Sequence, residues 1–254
     1  MVERARICKG CIALGARPAA RLRGPLSPFF RLAGMKPSPM NPNVCTACVA
    51  HLIPQDTRLK QRDSKKMHQP VNVTVFFADI RGYTTLSEQV TSSEMADVLS
   101  IFYDNCAEAV WAHDGVLNKF IGDAMLAWFG FPIVRPDHPA QAVECALALQ
   151  SASASINRDI AALLGEGSAI EIGVGIATGD VVVGQIGQVG QDVTAIGGIV
   201  NLASRLQSAA RPGEILITDA VYGFVRSRFP DAETKEYTLK GLQQPVQAYV
   251  IKQI

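Results

Sequence analysis

Apolar residues crowd most densely between Val71 and Phe129. Val71-Asn-Val-Thr-Val-Phe-Phe-Ala-Asp79 is a β-branched, apolar run that meets a lone carboxylate, with Gly82, Tyr83 and Thr84 just beyond. This pattern predicts a buried strand ending in a turn that exposes backbone N–H groups. Val116 to Phe129 holds two apolar runs flanking Gly122-Asp123, which predicts a hairpin with a tight turn. Between these pieces, Thr91-Ser-Ser-Glu94 has the spacing of a capping box. Val98, Ile101, Phe102, Cys106 and Val110 then recur at helical spacing. That helix should end near His113, with Gly115 just past it.

A second helix is predicted from His138, with Ala142, Cys145, Ala146, Leu149, Ala152 and Ile156 on one face. Glu171 to Asp180 and Val181 to Gly184 read as another hairpin. Its glycines suit turns and close packing better than a phosphate cradle, because no helix start follows at the spacing of a nucleotide-binding loop. A strand over Val193–Ile196, a helix over Val200–Ala209 and a strand over Glu214–Thr218 come next. Ala220–Val225 reads as a short helix. Two final strands are expected at Glu236–Lys240 and Val246–Ile251. The succession predicts an α+β sandwich with helices covering one face of a mainly antiparallel sheet.

Composition divides the chain more sharply than its net charge of +1 suggests. Residues 1–70 carry 13 Lys or Arg against Glu3, Asp56 and Asp63, whereas residues 71–254 carry 11 basic and 20 acidic side chains. A basic segment suits nucleic acid, an anionic membrane or the chain's own acidic part. No finger spacing supports nucleic acid, so contact within the chain is the simplest expectation. The division read here is a Cys-rich segment over 1–54, a polar linker over 55–70 and one domain over 71–254. No apolar run reaches the length of a membrane span, and charges interrupt every apolar stretch near the start. A cytoplasmic protein is expected, and a reducing cytosol disfavours disulfides.

The six cysteines then need another account. Cys8-Lys-Gly-Cys11 and Cys45-Thr-Ala-Cys48 are C-x2-C pairs, each able to aim two thiolates at one ion from a tight turn. Together they suit a four-thiolate zinc site or an iron–sulfur cluster, with His51 as a substitute ligand. Free thiols in a poorly ordered tail are the plain alternative. Cys106 and Cys145 fall on apolar helical faces and read as packing residues. Asp79 and Asp123 are separate in sequence, yet each sits at the tip of an apolar strand. An Asp in a turn often only caps backbone, but two at adjacent strand ends suit a pair of hard divalent cations.

Phe77-Ala-Asp79-Ile-Arg-Gly-Tyr-Thr84, Lys119-Phe-Ile-Gly-Asp123 and Thr194-Ala-Ile-Gly-Gly-Ile-Val-Asn201-Leu-Ala-Ser-Arg205 resemble, in order, the signature blocks of class III nucleotidyl cyclases. The resemblance covers about Val71 to Ile254 and implies a ferredoxin-like core. It implies conversion of a nucleoside triphosphate to its 3′,5′-cyclic monophosphate and pyrophosphate. It casts Asp79, Asp123 and the Ile80 carbonyl as ligands of two Mg2+ or Mn2+ ions, and the backbone of Gly82, Tyr83 and Thr84 as a phosphate nest. It makes Asn201 the ribose-orienting residue, Arg205 the clamp at the α-phosphate and Lys240 a further phosphate contact. Lys119 and Thr194 stand at base-reading positions and point to ATP, in the manner of the subgroup containing bicarbonate-responsive adenylate cyclases. The resemblance also implies a head-to-tail homodimer with two composite sites. The expectation is an adenylate cyclase. The alternatives are a guanylate cyclase and a catalytically weak nucleotide-binding regulatory module.

Overall fold

The computed structural model describes residues 7–13, 19–50, 70–185, 193–238 and 244–252. Its centre is β1 (Pro70–Arg81), buried without interruption from Val73 to Ala78. Strands buried on both faces need cover on both faces. β1 pairs antiparallel with β3 (Ala124–Phe129) and with β4 (Glu171–Gln185). β2 (Val116–Ile121) extends the sheet beyond β3. On the other side β6 (Ile215–Thr218) runs parallel to β4, followed by β8 (Val246–Ile251) and β7 (Glu233–Tyr237). The order is β2-β3-β1-β4-β6-β8-β7, with β5 (Val193–Ile196) pairing the far end of β4.

Alternation along β1 divides the core. Phe76, Ala78 and Ile80 pack toward α5 (Ser92–Ala112) and α6 (His138–Leu164). α8 (Asp219–Val225) adds Val221, Tyr222 and Val225 to that layer. Val73, Val75 and Phe77 pack on the opposite face, beneath Ala203 of α7 (Gly198–Ala209). The expected one-sided cover is therefore corrected: the sheet carries helices on both faces, as the unbroken apolar run of β1 requires. α5 opens on the predicted capping box, with Thr91 and Glu94 each bonding the other's backbone N–H.

The hairpin predicted over residues 171–184 is a single strand, β4. Its glycines are not turn residues. A Cβ on Gly175 would lie 2.2 Å from the Gln207 nitrogen and 2.3 Å from the Ala203 oxygen. Gly175 thus admits the backbone of α7 directly onto the sheet. Of the last two strands, β8 has the expected bounds, whereas β7 covers Glu233–Tyr237 and so starts before the expected Glu236.

The described residues before β1 form a small layer against the same sheet. α1 (Lys9–Ala13), α2 (Ser27–Leu32) and α3 (Thr46–Ala50) surround a core of Cys8, Cys11, Leu22, Phe30, Val44, Cys45 and Cys48. Ile133 and Phe131, from beyond β3, join it. The linker expected over 55–70 lies outside the described residues, apart from Pro70.

Candidate active site

Asp79 occupies the last turn of β1, opposite Ala124, and shares a face with Phe77 and Arg81. Asp123 is the second residue of the two-residue loop between β2 and β3. Gly122 precedes it at φ 62°, the left-handed conformation a tight hairpin needs at its first loop position. The Asp123 carbonyl accepts a hydrogen bond from the Ile80 N–H at 3.4 Å, which ties the hairpin tip to β1. The two predicted carboxylates are thus brought together from opposite ends of the motif region.

Their surroundings suit a cation. Asp79 Oδ2 accepts from Gln207 Nε2 at 2.8 Å and lies 3.8 Å from Arg81 Nη2. Asp79 Oδ1 is buried and meets no hydrogen-bond donor among the described residues. Its neighbour Asp123 is a second acceptor. Burial and then Asp123 push the Asp79 carboxyl up to about 6, against the pull of Gln207 and Arg81. An orphaned carboxylate oxygen beside another carboxylate fits hard divalent ions with oxygen ligands.

Past Asp79, the Ile80 side chain is buried in the α5–α6 core. Gly82 has φ 73° and caps α4 (Tyr83–Ser87). The N–H groups of Tyr83 and Thr84 therefore lie in a first helical turn, where they have no intrahelical acceptor. Lys119 stands opposite Leu126, whose side chain lies in the cluster under α7, so Lys119 presents to the α7 face. Thr194 is half-buried on β5, opposite Gly184. Lys240 and His51 lie outside the described residues.

α7 separates its residues by face. At about 100° per residue, Asn201 and Arg205 fall on one side of the helix. Ala203, Leu206 and Gln207 are buried on the other. Asn201 is exposed and Arg205 half-buried. Gln207 reaches the Asp79 of its own chain, so Arg205, about 160° round the helix from it, points away from that carboxylate.

The four predicted cysteines do converge. The sulfurs of Cys8, Cys11, Cys45 and Cys48 all lie within 4.8 Å of one another and all four residues are buried. Individual separations are 3.4 Å for Cys11–Cys48, 3.7 Å for Cys8–Cys48 and 3.8 Å for Cys11–Cys45. Zinc–thiolate bonds of about 2.3 Å at tetrahedral angles put sulfurs about 3.8 Å apart. Amide N–H groups of Cys11 and Cys45 donate to the Cys8 sulfur at 3.3 and 3.0 Å, and that of Cys48 to Cys45 at 3.4 Å. Burial, then the Cys11 sulfur, pushes the Cys48 thiol up to about 12, and the Cys45 sulfur, then burial, pushes the Cys8 thiol up. Cys106 and Cys145 are buried in the main core, as expected.

The family model described as "Adenylate and Guanylate cyclase catalytic domain" matches residues 65–253. The chain belongs to the class III nucleotidyl cyclase family. Its cyclase domain is similar to the adenylyl cyclase CyaB from P. aeruginosa, with 33% identity and a TM-score of 0.67 over 73% of this chain and 96% of that one. It is also similar to the guanylyl cyclase Cya2, at 29% identity and a TM-score of 0.66 over 72% and 92%. Among curated proteins, Adenylate cyclase 1 of Rhizobium meliloti is 37% identical over 137 residues, 53% of this chain and 20% of that protein. An adenylate cyclase of Mycobacterium bovis is 28% identical over 198 residues, 77% of this chain and 43% of that protein. The cyclase domain thus spans less than half the length of these curated relatives.

Three residues of the cyclase domain touch the candidate site without having been singled out from sequence. Gln207 and Arg81 flank Asp79, and Arg81 Nη2 also donates to the Gln207 carbonyl at 2.9 Å. Both sit inside or just past the motif blocks, two positions from Asp79 and Arg205, and that proximity was the available signal. Tyr103 of α5 stacks on Phe120 with ring centroids 3.8 Å apart, and its hydroxyl donates to the Gly122 carbonyl. Nothing in its sequence neighbourhood marks it.

Proposed function

We propose that this chain is an adenylate cyclase that converts ATP to 3′,5′-cyclic AMP and pyrophosphate at composite sites of a homodimer. The observation that carries the reading is the Asp79–Asp123 pair, with its orphaned Oδ1. Asp79 and Asp123, with the Ile80 carbonyl, would hold two Mg2+ or Mn2+ ions, whose chemistry when bound would be to ease loss of the ribose 3′-hydroxyl proton and to offset charge on the triphosphate. The 3′-hydroxyl gives its proton to water, the new bond joins the 3′-oxygen to the α-phosphorus, the bond from the α-phosphorus to the oxygen it shares with the β-phosphate breaks, and pyrophosphate leaves. The Gly82, Tyr83 and Thr84 amides, with Lys240, bind phosphate oxygens. Asn201 orients the ribose. Arg205 offers its planar fork to the α-phosphate as charge develops there.

α7 supports the dimer. Asn201 and Arg205 turn away from the carboxylates of their own chain, so they serve the site whose Asp79 and Asp123 come from the partner. The apolar side chains of Ile121 and Ile196 stand exposed close to Asp123 and Thr194 in sequence, which suits burial against a second copy. Lys119 donates to the adenine ring, and the Thr194 hydroxyl accepts from its amino group. A hydroxyl also donates, so it discriminates less strictly than a carboxylate. The similarity to Cya2 favours GTP turnover as the second reading. The purified chain, supplied with Mn2+ or Mg2+ and with ATP and GTP in parallel, decides by the cyclic product. Cyclic AMP in excess is expected. Cyclic GMP in excess contradicts the base assignment, and the absence of both products contradicts the enzyme. At the cysteines, a single tetrahedral zinc ion fits the sulfur spacing better than a cluster, whose extra shell of iron and sulfide would spread the thiolates.

A further inference from the structure

β2 is the edge strand of the sheet. Its register shifts between Leu117 and Lys119, a local irregularity next to the base-reading position. An edge strand with such a break needs something to hold it. The loop between Ser38 and Val44 does so. The Leu117 N–H donates to the Met40 carbonyl at 2.9 Å, and the Trp111 indole N–H donates to the same oxygen at 2.9 Å. Fully buried Asn41 donates from Nδ2 to the Gly115 carbonyl at 2.6 Å, and its Oδ1 accepts from the Asn43 N–H at 2.8 Å.

That loop is fixed from the cysteine side. Pro37 bridges Cys45, and the Ser38 N–H donates to the Val44 carbonyl at 2.8 Å, so the loop closes directly onto a predicted metal ligand. The Lys9 N–H, between Cys8 and Cys11, donates to the Asn43 carbonyl at 2.9 Å. The Lys9 ammonium pairs with Asp114, which holds φ 63° at the α5–β2 turn and also meets Arg135 Nη1 at 3.2 Å. Besides the cysteines, the core of this layer is small. Little apolar area is available to order it, so its fold depends on cross-linking by an ion.

We propose that one zinc ion bound by Cys8, Cys11, Cys45 and Cys48 braces the edge of β2, and that its occupancy sets the position of Lys119 and hence cyclase activity. The activity half rests on the reading above, and the bracing half does not. The loop from Ser38 to Val44 is the mechanical link. Losing the ion frees Cys45, opens the loop and releases the Met40 and Asn41 contacts. The tip of the hairpin keeps its own tie, from Tyr103 to Gly122. The base of β2 loses both of its ties.

The test uses the full chain, purified without metal-affinity steps. Elemental analysis should find about one zinc per chain. A soft-donor chelator that spares Mg2+ is then applied, and hydrogen exchange is followed over Trp111–Ile121. Stripping should raise exchange there by tenfold or more, raise the KM for ATP several-fold, and be reversed by added zinc. Asn41→Ala keeps all four ligands. It should retain zinc yet show the raised exchange and KM, which separates bracing from folding of the cysteine layer. A chain that holds no zinc on isolation and takes up none when zinc is added overturns the site, and iron in its place overturns the choice of ion. Zinc whose removal leaves the exchange unchanged overturns the brace. Raised exchange with unaltered KM and kcat overturns the coupling. Exchange that rises on stripping, in a chain that turns over neither ATP nor GTP even when zinc-loaded, sinks the cyclase reading and leaves the brace standing.

Discussion

At the scale of single residues, Asp79 carries the most electrostatic cost. Its folded-state pKa of about 6 stands above the usual carboxylate value because it is buried beside Asp123. A raised acid binds more protons folded than unfolded, so its stabilising share is present at low pH and is lost as pH rises from about 4 to about 6. Without divalent ions, thermal stability should decline over that window by way of this group. Asp79→Asn should flatten the decline, which melting curves against pH will reveal. Divalent ions compete with that proton, so Mn2+ affinity should fall as pH drops through about 6. Asp79→Asn and Asp123→Ala should each cut cyclisation at least a hundredfold while the fold persists. A variant within a few-fold of the parent would remove the two-ion assignment. Asp79, Asp123 and the cysteines were legible because each is a chemically distinct residue in an apolar or patterned setting. Gln207, Arg81 and Tyr103 were not, since their roles arise from faces and packing that only the fold brings together.

At the scale of elements, what was legible followed local rules. The capping box at Thr91, the Gly122-Asp123 hairpin and the apolar stripe of α6 each declare themselves within a few residues. β4 did not, because glycine reads as a turn whenever its packing partner is distant in sequence. Gly175 exists for α7, some 30 residues on. Gly175→Ala must push α7 outward or deform β4, since backbone atoms stand within 2.3 Å of the new Cβ. Overpacking of this kind costs roughly 1–3 kcal/mol, readable by chemical denaturation. Because α7 carries Asn201 and Arg205, activity should fall more than tenfold even where the variant stays folded. An Ala variant with unchanged stability and turnover would show that α7 does not rest on Gly175. The one-sided helix layer was misjudged for a related reason: the unbroken burial of β1 implies two covers, but only tertiary packing assigns the second to α7.

At the scale of the whole molecule, the central claim is that two chains complete each site. Asp123→Ala removes the ion-holding half and Arg205→Ala the phosphate-clamping half. If the halves come from different chains, each variant homodimer is inactive at both of its sites. In a heterodimer of the two variants, both defects fall in one site and the other is intact. Random exchange makes half of all dimers mixed, each with one working site of two, so activity should return to about a quarter of the parent. The return should lag with time and depend on concentration, because chains must separate first. Cyclic AMP formation by mixed, separately inactive and folded variants is therefore the decisive measurement. Recovery toward that level is the predicted result, and no recovery despite demonstrated chain exchange would contradict the shared site.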